Sequence, residues 1–201
     1  MALPQKDWSG NTKSMFVTLG ATNHSNLKRA DDDFYATPPL AIDALAAVGK
    51  LPRYNPIWEC AAGAGHLSKA LEAHGFTVIS TDLVYRGYGE GGIDFLEQKE
   101  LLAPCILTNP PYSFAQEFAE HAVVKLRCEE YYAFHKLTFL EGQKRGAFFD
   151  KHPPAEVLVF RKRIQVARNG DPEAFKMSSA ACYAWFVWRK GFKGKPEVSW
   201  I

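Results

Sequence analysis

The chain has 201 residues, with 24 Lys+Arg against 22 Asp+Glu, 47% hydrophobic residues, and 5 Trp, 8 Tyr and 14 Phe. That composition suits one folded domain with a sizeable core. No apolar stretch approaches the roughly 18 residues of a membrane span, and "MALPQKDWSGNTKSM" has no signal-peptide core, so the expectation is a cytoplasmic protein with no membrane partner. The formal charge of +2 is unevenly spread: residues 1–124 carry 9 basic against 14 acidic side chains, and residues 125–201 carry 15 against 8. The basic C-terminal third points to an anionic partner. Cys60, Cys105, Cys128 and Cys182 form no CxxC pair and have no His at metal-ligand spacing, so no metal site is expected. Cys60, Cys105 and Cys182 fall in apolar runs and read as small core residues.

In chain order, residues 1–30 are polar and without period, and read as a mobile arm. Residues 31–201 read as a single domain. In "YATPPLAIDALAAVGKL", Thr37 suits an N-cap, Pro38 the first helical position and Gly49 the stop. "NPIWECAAGAG" is a short strand ending in glycines. "HLSKALEAHG" is a helix with Leu67, Ala70 and Leu71 inward and Gly75 as stop. "FTVISTDL" is a β-branched strand tipped by Asp82, and "GGIDFL" is a short strand. "CILTNPPY" is another strand. "SFAQEFAEHAVVKL" is a helix that Ser113 and Gln116 open with a capping box. "YYAFHKLTF", "AEVLVFRK" and "CYAWFVWRK" are three more strands, the last two able to pair antiparallel. Alternating strands and helices predict a seven-stranded, mostly parallel sheet with its last strand antiparallel and helices on both faces.

"WECAAGAGHLSKAL" sets Glu59, Ala61, Gly63 and Gly65 between a strand and a helix. Glycines there allow a sharp turn and close ligand approach. Asp82 ends the next strand, where a carboxylate can hold ribose hydroxyls. The third glycine of a dinucleotide fingerprint would fall at Ser68, and no Lys-Ser/Thr follows the glycines, so neither a dinucleotide loop nor a P-loop fits. Glu59 would repel a pyrophosphate and attract a cation.

These motifs together resemble the class I S-adenosylmethionine-dependent methyltransferases, specifically the DNA adenine-N6 branch, and look much like its small phage and prophage members. The resemblance covers about residues 33–201 and implies a Rossmann-like fold. "ECAAGAG" resembles the methionine-binding loop, "STDL" the ribose-binding acid with Leu83 after it, and "GIDFL" the Asp94-Phe95 pair that frames the cofactor adenine. "FYATPP", with Tyr35 and Thr37, resembles the motif at the methionine end. "TNPPYS" resembles the catalytic motif, with Asn109, Pro110, Pro111 and Tyr112 filling every position. The implied cofactor is S-adenosylmethionine, leaving as S-adenosylhomocysteine, with no metal. The implied partner is DNA, with RNA open, and the implied state is a monomer or weak dimer. Only 89 residues follow Tyr112, leaving no room for the long target-recognition region of strictly specific members.

The chemistry fits the tetrapeptide. An exocyclic purine amine is a poor nucleophile, because its lone pair is delocalised. Two acceptors aimed at its N–H bonds would hold it in line with the methyl group and stabilise charge developing on nitrogen. The Asn109 side-chain oxygen and the Pro110 carbonyl can be those acceptors, on a backbone the prolines fix, with Tyr112 as a stacking face. Such a base must be single-stranded or flipped out. A short basic region around residues 139–180 then grips backbone, with Lys144, Arg145, Arg161, Lys162, Arg163 and Arg168 as phosphate contacts. His66, His135, Phe148, Phe149 and the tryptophans of "YAWFVW" read as structural. The alternatives are an RNA adenine or guanine amine, a protein glutamine amide at the same clamp, or a non-catalytic nucleic-acid-binding module with a vestigial pocket.

Overall fold

The computed structural model describes residues 35–168 and 181–201, with the side chains of Lys144 and Arg168 outside the description. The expected arm over residues 1–30 and the end of the basic region, residues 169–180, therefore lie outside the described residues. Nine strands are described: β1 (Tyr35–Ala36), β2 (Ile57–Glu59), β3 (Val78–Ser80), β4 (Cys105–Thr108), β5 (Glu130–Lys136), β6 (Glu156–Val159), β7 (Ala167–Arg168), β8 (Tyr183–Arg189) and β9 (Glu197–Trp200). Seven form one sheet in the order β3-β2-β4-β5-β8-β6-β9, and β1 pairs with β7 in a two-stranded sheet. β8 runs antiparallel to both of its neighbours, while the other paired strands of the large sheet are parallel. This is the mixed, mostly parallel architecture expected from the sequence.

Each sheet face is covered. The helices are α1 (Leu40–Ala47), α2 (His66–Ala73), α3 (Ala115–Glu120, continued by a π-turn over His121–Lys125) and α4 (Gln143–Lys151). Alternate residues of β5 feed opposite cores. Tyr131 and Ala133 join Trp58, Ile106, Phe186, Trp188 and the α3 side chains Phe118 and Ala119. Tyr132 and Phe134 join Ile57, Leu107, Trp185, Val187 and the inward residues of α1 and α2. The period of two along a fully buried strand puts one set on each face.

Four local expectations are corrected. "GGIDFL" is not a strand: Asp94 accepts the Leu96 N–H at 2.9 Å and opens a 3₁₀ turn over Phe95–Glu97. The sheet contact instead comes earlier, as an isolated parallel bridge between Thr81 and Glu90. Thr37 does not cap α1, which starts after Pro39 with no side-chain cap. The capping box at Ser113 and Gln116 is replaced by a 3₁₀ turn over Tyr112–Phe114, and the Gln116 amide donates to Glu120 at 2.8 Å. Cys182 is exposed, whereas Cys128 joins Cys60 and Cys105 in the interior. The sequence reading included neither α4 nor the edge strand β9.

Among the described residues no helix is long and apolar enough to cross a membrane, and no cluster of His, Cys, Asp and Glu could hold a metal ion.

Candidate active site

β2 connects forward to β3 on one side and, later in the chain, β4 lies on its other side. Such a switch in strand order opens a crevice at the carboxyl ends of the strands, where ligands settle in open α/β sheets. A cavity of about 470 Å³ lies there. Nine of the residues expected to hold a cofactor line it: Tyr35, Thr37, Glu59, Ala61, Asp82, Leu83, Asp94, Phe95 and Asn109. Gly63 and Gly65 are not on its wall.

The glycines act one step behind the wall. The Gly63 N–H donates to Asp82 Oδ2 at 2.7 Å. Asp82 Oδ1 accepts the Val84 N–H at 2.8 Å and faces Arg86 Nη1 at 3.5 Å. One carboxylate thus ties the glycine loop to the turn after β3. Gly65 has φ +79°, and a Cβ on it would lie 2.4 Å from ring atoms of Tyr88. The close approach that the glycine permits is therefore made by Tyr88, whose ring also receives Lys69 Nζ at 4.9 Å from its centroid and whose hydroxyl donates to Glu72 at 2.8 Å.

Glu59 is 2% exposed at the end of β2. Burial pushes its carboxyl up to about 8, against the hydrogen bond it accepts from Ser68. Ser68 in turn shares a 2.8 Å hydrogen bond with Ser80. The position where a third fingerprint glycine would fall thus carries a hydroxyl that serves the carboxyl group. Phe95 is on the cavity wall but mostly in the core, with its ring centroid 5.2 Å from Trp58, 4.8 Å from Phe118 and 4.9 Å from His121.

Asn109 follows β4 directly. Its Nδ2 donates to the Tyr35 carbonyl at 2.7 Å and to Thr37 Oγ1 at 2.9 Å. A main-chain carbonyl can only accept, so the amide must present its NH₂ to Tyr35. That leaves Oδ1, which is buried and has no hydrogen-bond partner among the described residues. The Thr37 hydroxyl, read from sequence as a helix cap, is instead spent on this amide. Downstream, the Pro111 carbonyl accepts the Phe114 N–H at 2.9 Å, and no described backbone N–H donates to the Pro110 carbonyl. Tyr112 is half-buried and stacks on Tyr35, with ring centroids 5.3 Å apart at 26°. Lys136 Nζ lies 5.0 Å from the Tyr112 centroid. The face expected to be open for stacking is thus already in aromatic contact. Half-exposed Phe114 lies on the cavity wall two residues on.

The basic residues divide. Arg161, Lys162 and Arg163 are exposed beyond the carboxyl end of β6. Arg145 is turned onto its own loop, donating to the Glu141 carbonyl at 2.6 Å and the Thr138 carbonyl at 3.3 Å, with its guanidinium over Phe139. Arg168 contributes its backbone to the pairing with Tyr35. His135 is 1% exposed, stacks on Phe139 at 4.2 Å, and is pushed down to about 3 by burial. His66 lies on the cavity wall. Arg86, Tyr88, Phe114 and Lys136 were not singled out in sequence. Only Phe114 carried a usable signal, its place two residues after the tetrapeptide.

The sequence matches no protein-family model and no curated protein. Solved structures share its fold. A candidate RNA methyltransferase from Pyrococcus horikoshii superposes with TM-score 0.55 at 14% identity, covering 90% of this chain and 100% of the other. A candidate class I S-adenosylmethionine-dependent methyltransferase from Listeria monocytogenes gives 0.54 at 12%, covering 93% and 71%. The 23S rRNA methyltransferase ErmE gives 0.51 at 16%, covering 81% and 71%. At such identities the likeness is one of fold: this chain has the Rossmann-like fold of class I methyltransferases.

Proposed function

We propose that this protein transfers a methyl group from S-adenosylmethionine to the N6 amine of adenine in DNA, on a base that is single-stranded or flipped out of the duplex. The observation that carries the reading is the Asn109 amide, whose NH₂ is held from behind and whose buried oxygen still needs a donor. A buried acceptor without a partner is costly. An amine N–H would satisfy it, and the Pro110 carbonyl would take the second N–H. Two acceptors would then hold the nitrogen with its lone pair directed at the methyl group that the bound cofactor would supply on a cationic sulfur. The extra proton on nitrogen leaves to water, so no general base is required.

The residues present fit the cofactor. Glu59, Asp82 and Asp94 line the cavity, a set suited to a ligand that carries no phosphate, and a cationic group beside Glu59 would lower its raised pKa and release its proton. The Gly63 N–H that a dinucleotide loop would give to a phosphate is already given to Asp82. Glu59 would face the ammonium end, and Asp82, with lone pairs to spare, the ribose. Leu83, Asp94 and Phe95 would frame the adenine. The bound cofactor supplies an electrophilic methyl group. Arg161, Lys162 and Arg163 would contact phosphates.

The test is incubation of purified protein with tritiated S-adenosylmethionine and adenine-containing DNA, matched RNA or protein acceptors. The reading expects label in DNA as N6-methyladenine. Label in RNA or glutamine alone would move the acceptor, and label in none, with the cofactor bound, would leave a binding module.

A further inference from the structure

We infer that Ser68, Ser80 and Tyr88 form a hydroxyl relay that carries a proton from Glu59 to Glu72 at the surface when a cationic ligand enters the cavity. The inference rests on the cofactor reading above and adds to it a proton and the route by which that proton leaves.

The relay is a continuous run of side chains behind the cavity wall. Glu59, 2% exposed at the end of β2, is hydrogen-bonded to the hydroxyl of fully buried Ser68 on α2. Ser68 shares a 2.8 Å hydrogen bond with Ser80, the last residue of β3. Ser80 hydrogen-bonds the Tyr88 hydroxyl, which donates to exposed Glu72 at 2.8 Å. Ser68 and Glu72 stand one turn apart on α2, so the run leaves that helix through β3 and the following loop and returns to it at solvent. Gly65 gives Tyr88 its place, since a Cβ there would lie 2.4 Å from the ring.

Four contacts need four hydrogens. Each hydroxyl has one to give and an ionised carboxylate has none, so Ser68, Ser80 and Tyr88 supply three, and one of the two carboxyl ends must supply the fourth. With the proton on Glu59, every bond points outward to Glu72. With it on Glu72, every bond points inward to Glu59. Both arrangements satisfy every member, and passing between them moves each hydrogen by one bond with no side chain displaced. Burial puts the proton on Glu59, and the nearby charges of Asp82 after β3 and Glu72 on α2 act in the same direction. The other titratable side chains of the cavity wall are Tyr35, Cys60, His66, Arg86 and Asp94, and Lys69 of α2 lies over the Tyr88 ring.

A cation beside Glu59 reverses the preference. Glu59 then gives its proton to Ser68, Ser68 gives its own to Ser80, Ser80 to Tyr88, and Tyr88 to Glu72, which releases one to water. Glu59 ends as a carboxylate, and each hydroxyl ends with the one hydrogen it began with. A ligand that fills the cavity covers the front of Glu59, and the relay is the way out behind it.

The test uses S-adenosylhomocysteine, which carries the ammonium group and has no methyl group to transfer, and adenosine, which carries no charge. Calorimetry at pH 7 in two buffers of different ionisation enthalpy counts the protons. Wild type should release about one proton per S-adenosylhomocysteine bound and none per adenosine bound. In infrared difference spectra, a protonated-carboxyl band present in cofactor-free wild type and absent from Glu59→Gln should vanish when S-adenosylhomocysteine binds. Stopped-flow mixing with a pH indicator then tests the route. Proton release should keep pace with binding in wild type and lag behind it in Tyr88→Phe, which keeps the ring and lacks the hydroxyl. Binding of S-adenosylhomocysteine with no proton released, equal release with adenosine, or a carboxyl band that persists overturns the role of Glu59. Release that keeps pace with binding in Tyr88→Phe overturns the relay. Failure of wild type to bind S-adenosylhomocysteine at all overturns the cofactor reading itself.

Discussion

Asn109 shows how a single side chain can be aimed. Two acceptors on a different part of the chain fix its NH₂, and the remaining oxygen has one direction left. On the proposed reading, replacement by Ala removes a preorganised partner of the reacting amine. Methyl transfer should fall roughly 100- to 1,000-fold, about 2.7–4 kcal/mol. Wild-type turnover by the folded variant, measured with tritiated cofactor, would show that Asn109 does not hold the reacting amine. Glu59 makes a different prediction. Its carboxyl titrates near 8 in the fold instead of 4.5, so between those values the folded protein keeps a proton that the unfolded chain has lost. Unfolding is therefore favoured as pH rises through the window. Cofactor-free wild type should lose thermal stability from pH 5 to pH 8 relative to Glu59→Gln. Parallel melting curves for the two proteins would mean that Glu59 is ionised in the fold.

At the scale of elements, the strand–loop–helix unit from β2 to α2 is held by packing and by a backbone constraint together. Gly65 sits at φ +79° directly under the Tyr88 ring. An alanine there meets the left-handed penalty of about 1–2 kcal/mol and a clash with the ring. Gly65→Ala should lower stability by more than that penalty alone. Adding Tyr88→Ala should return the clash part and leave the backbone part, a coupling that a double-mutant cycle of denaturant melts can read. Additive losses would show that Tyr88 gives way freely. The β1–β7 pair is a second joint: Tyr35 is opposite Arg168 and Ala36 opposite Ala167. The strand that supplies the Asn109 acceptors is thus held by the segment that follows the exposed basic residues.

At the scale of the described molecule, the buried ion pairs and the cavity sit at opposite ends of the sheet. Glu130 opens β5 with no exposed surface, and accepts from the Arg53 N–H at 3.0 Å, Arg53 Nε at 2.6 Å and Arg189 Nε at 3.3 Å. Glu156 opens β6 and pairs with Arg189 and, at 2.6 Å, with Lys50. Its burial favours the neutral acid, but these cations outweigh that and hold its carboxyl below the usual range. The carboxyl edge carries the cavity instead. Glu130→Ala leaves Arg189 with Glu156 alone and should cost about 1.5–3 kcal/mol, lowering the melting temperature by roughly 3–12 °C. Cofactor affinity below the transition should be unchanged. A parallel loss of affinity would show that the two ends are coupled.

Much of this was legible from local pattern. Hydrophobic runs of fixed period gave β2, β4, β5, β6 and β8, and the glycines and Asp82 marked a nucleotide-type crevice, because backbone sterics and strand alternation act over a few residues. The proposed amine clamp at Asn109-Pro110-Pro111-Tyr112 comes from the same local pattern. What sequence could not decide depends on contacts between distant residues. Asp94 closes a turn rather than extending a strand, since Phe95 is drawn into the core by Trp58 and Phe118. Thr37 leaves its helix for Asn109, 72 positions away. Tyr88 fills the space over Gly65, and Lys136 meets Tyr112 only through strand register. Propensity and spacing describe a residue's own neighbourhood; which acceptor meets which donor across the sheet is settled by packing alone.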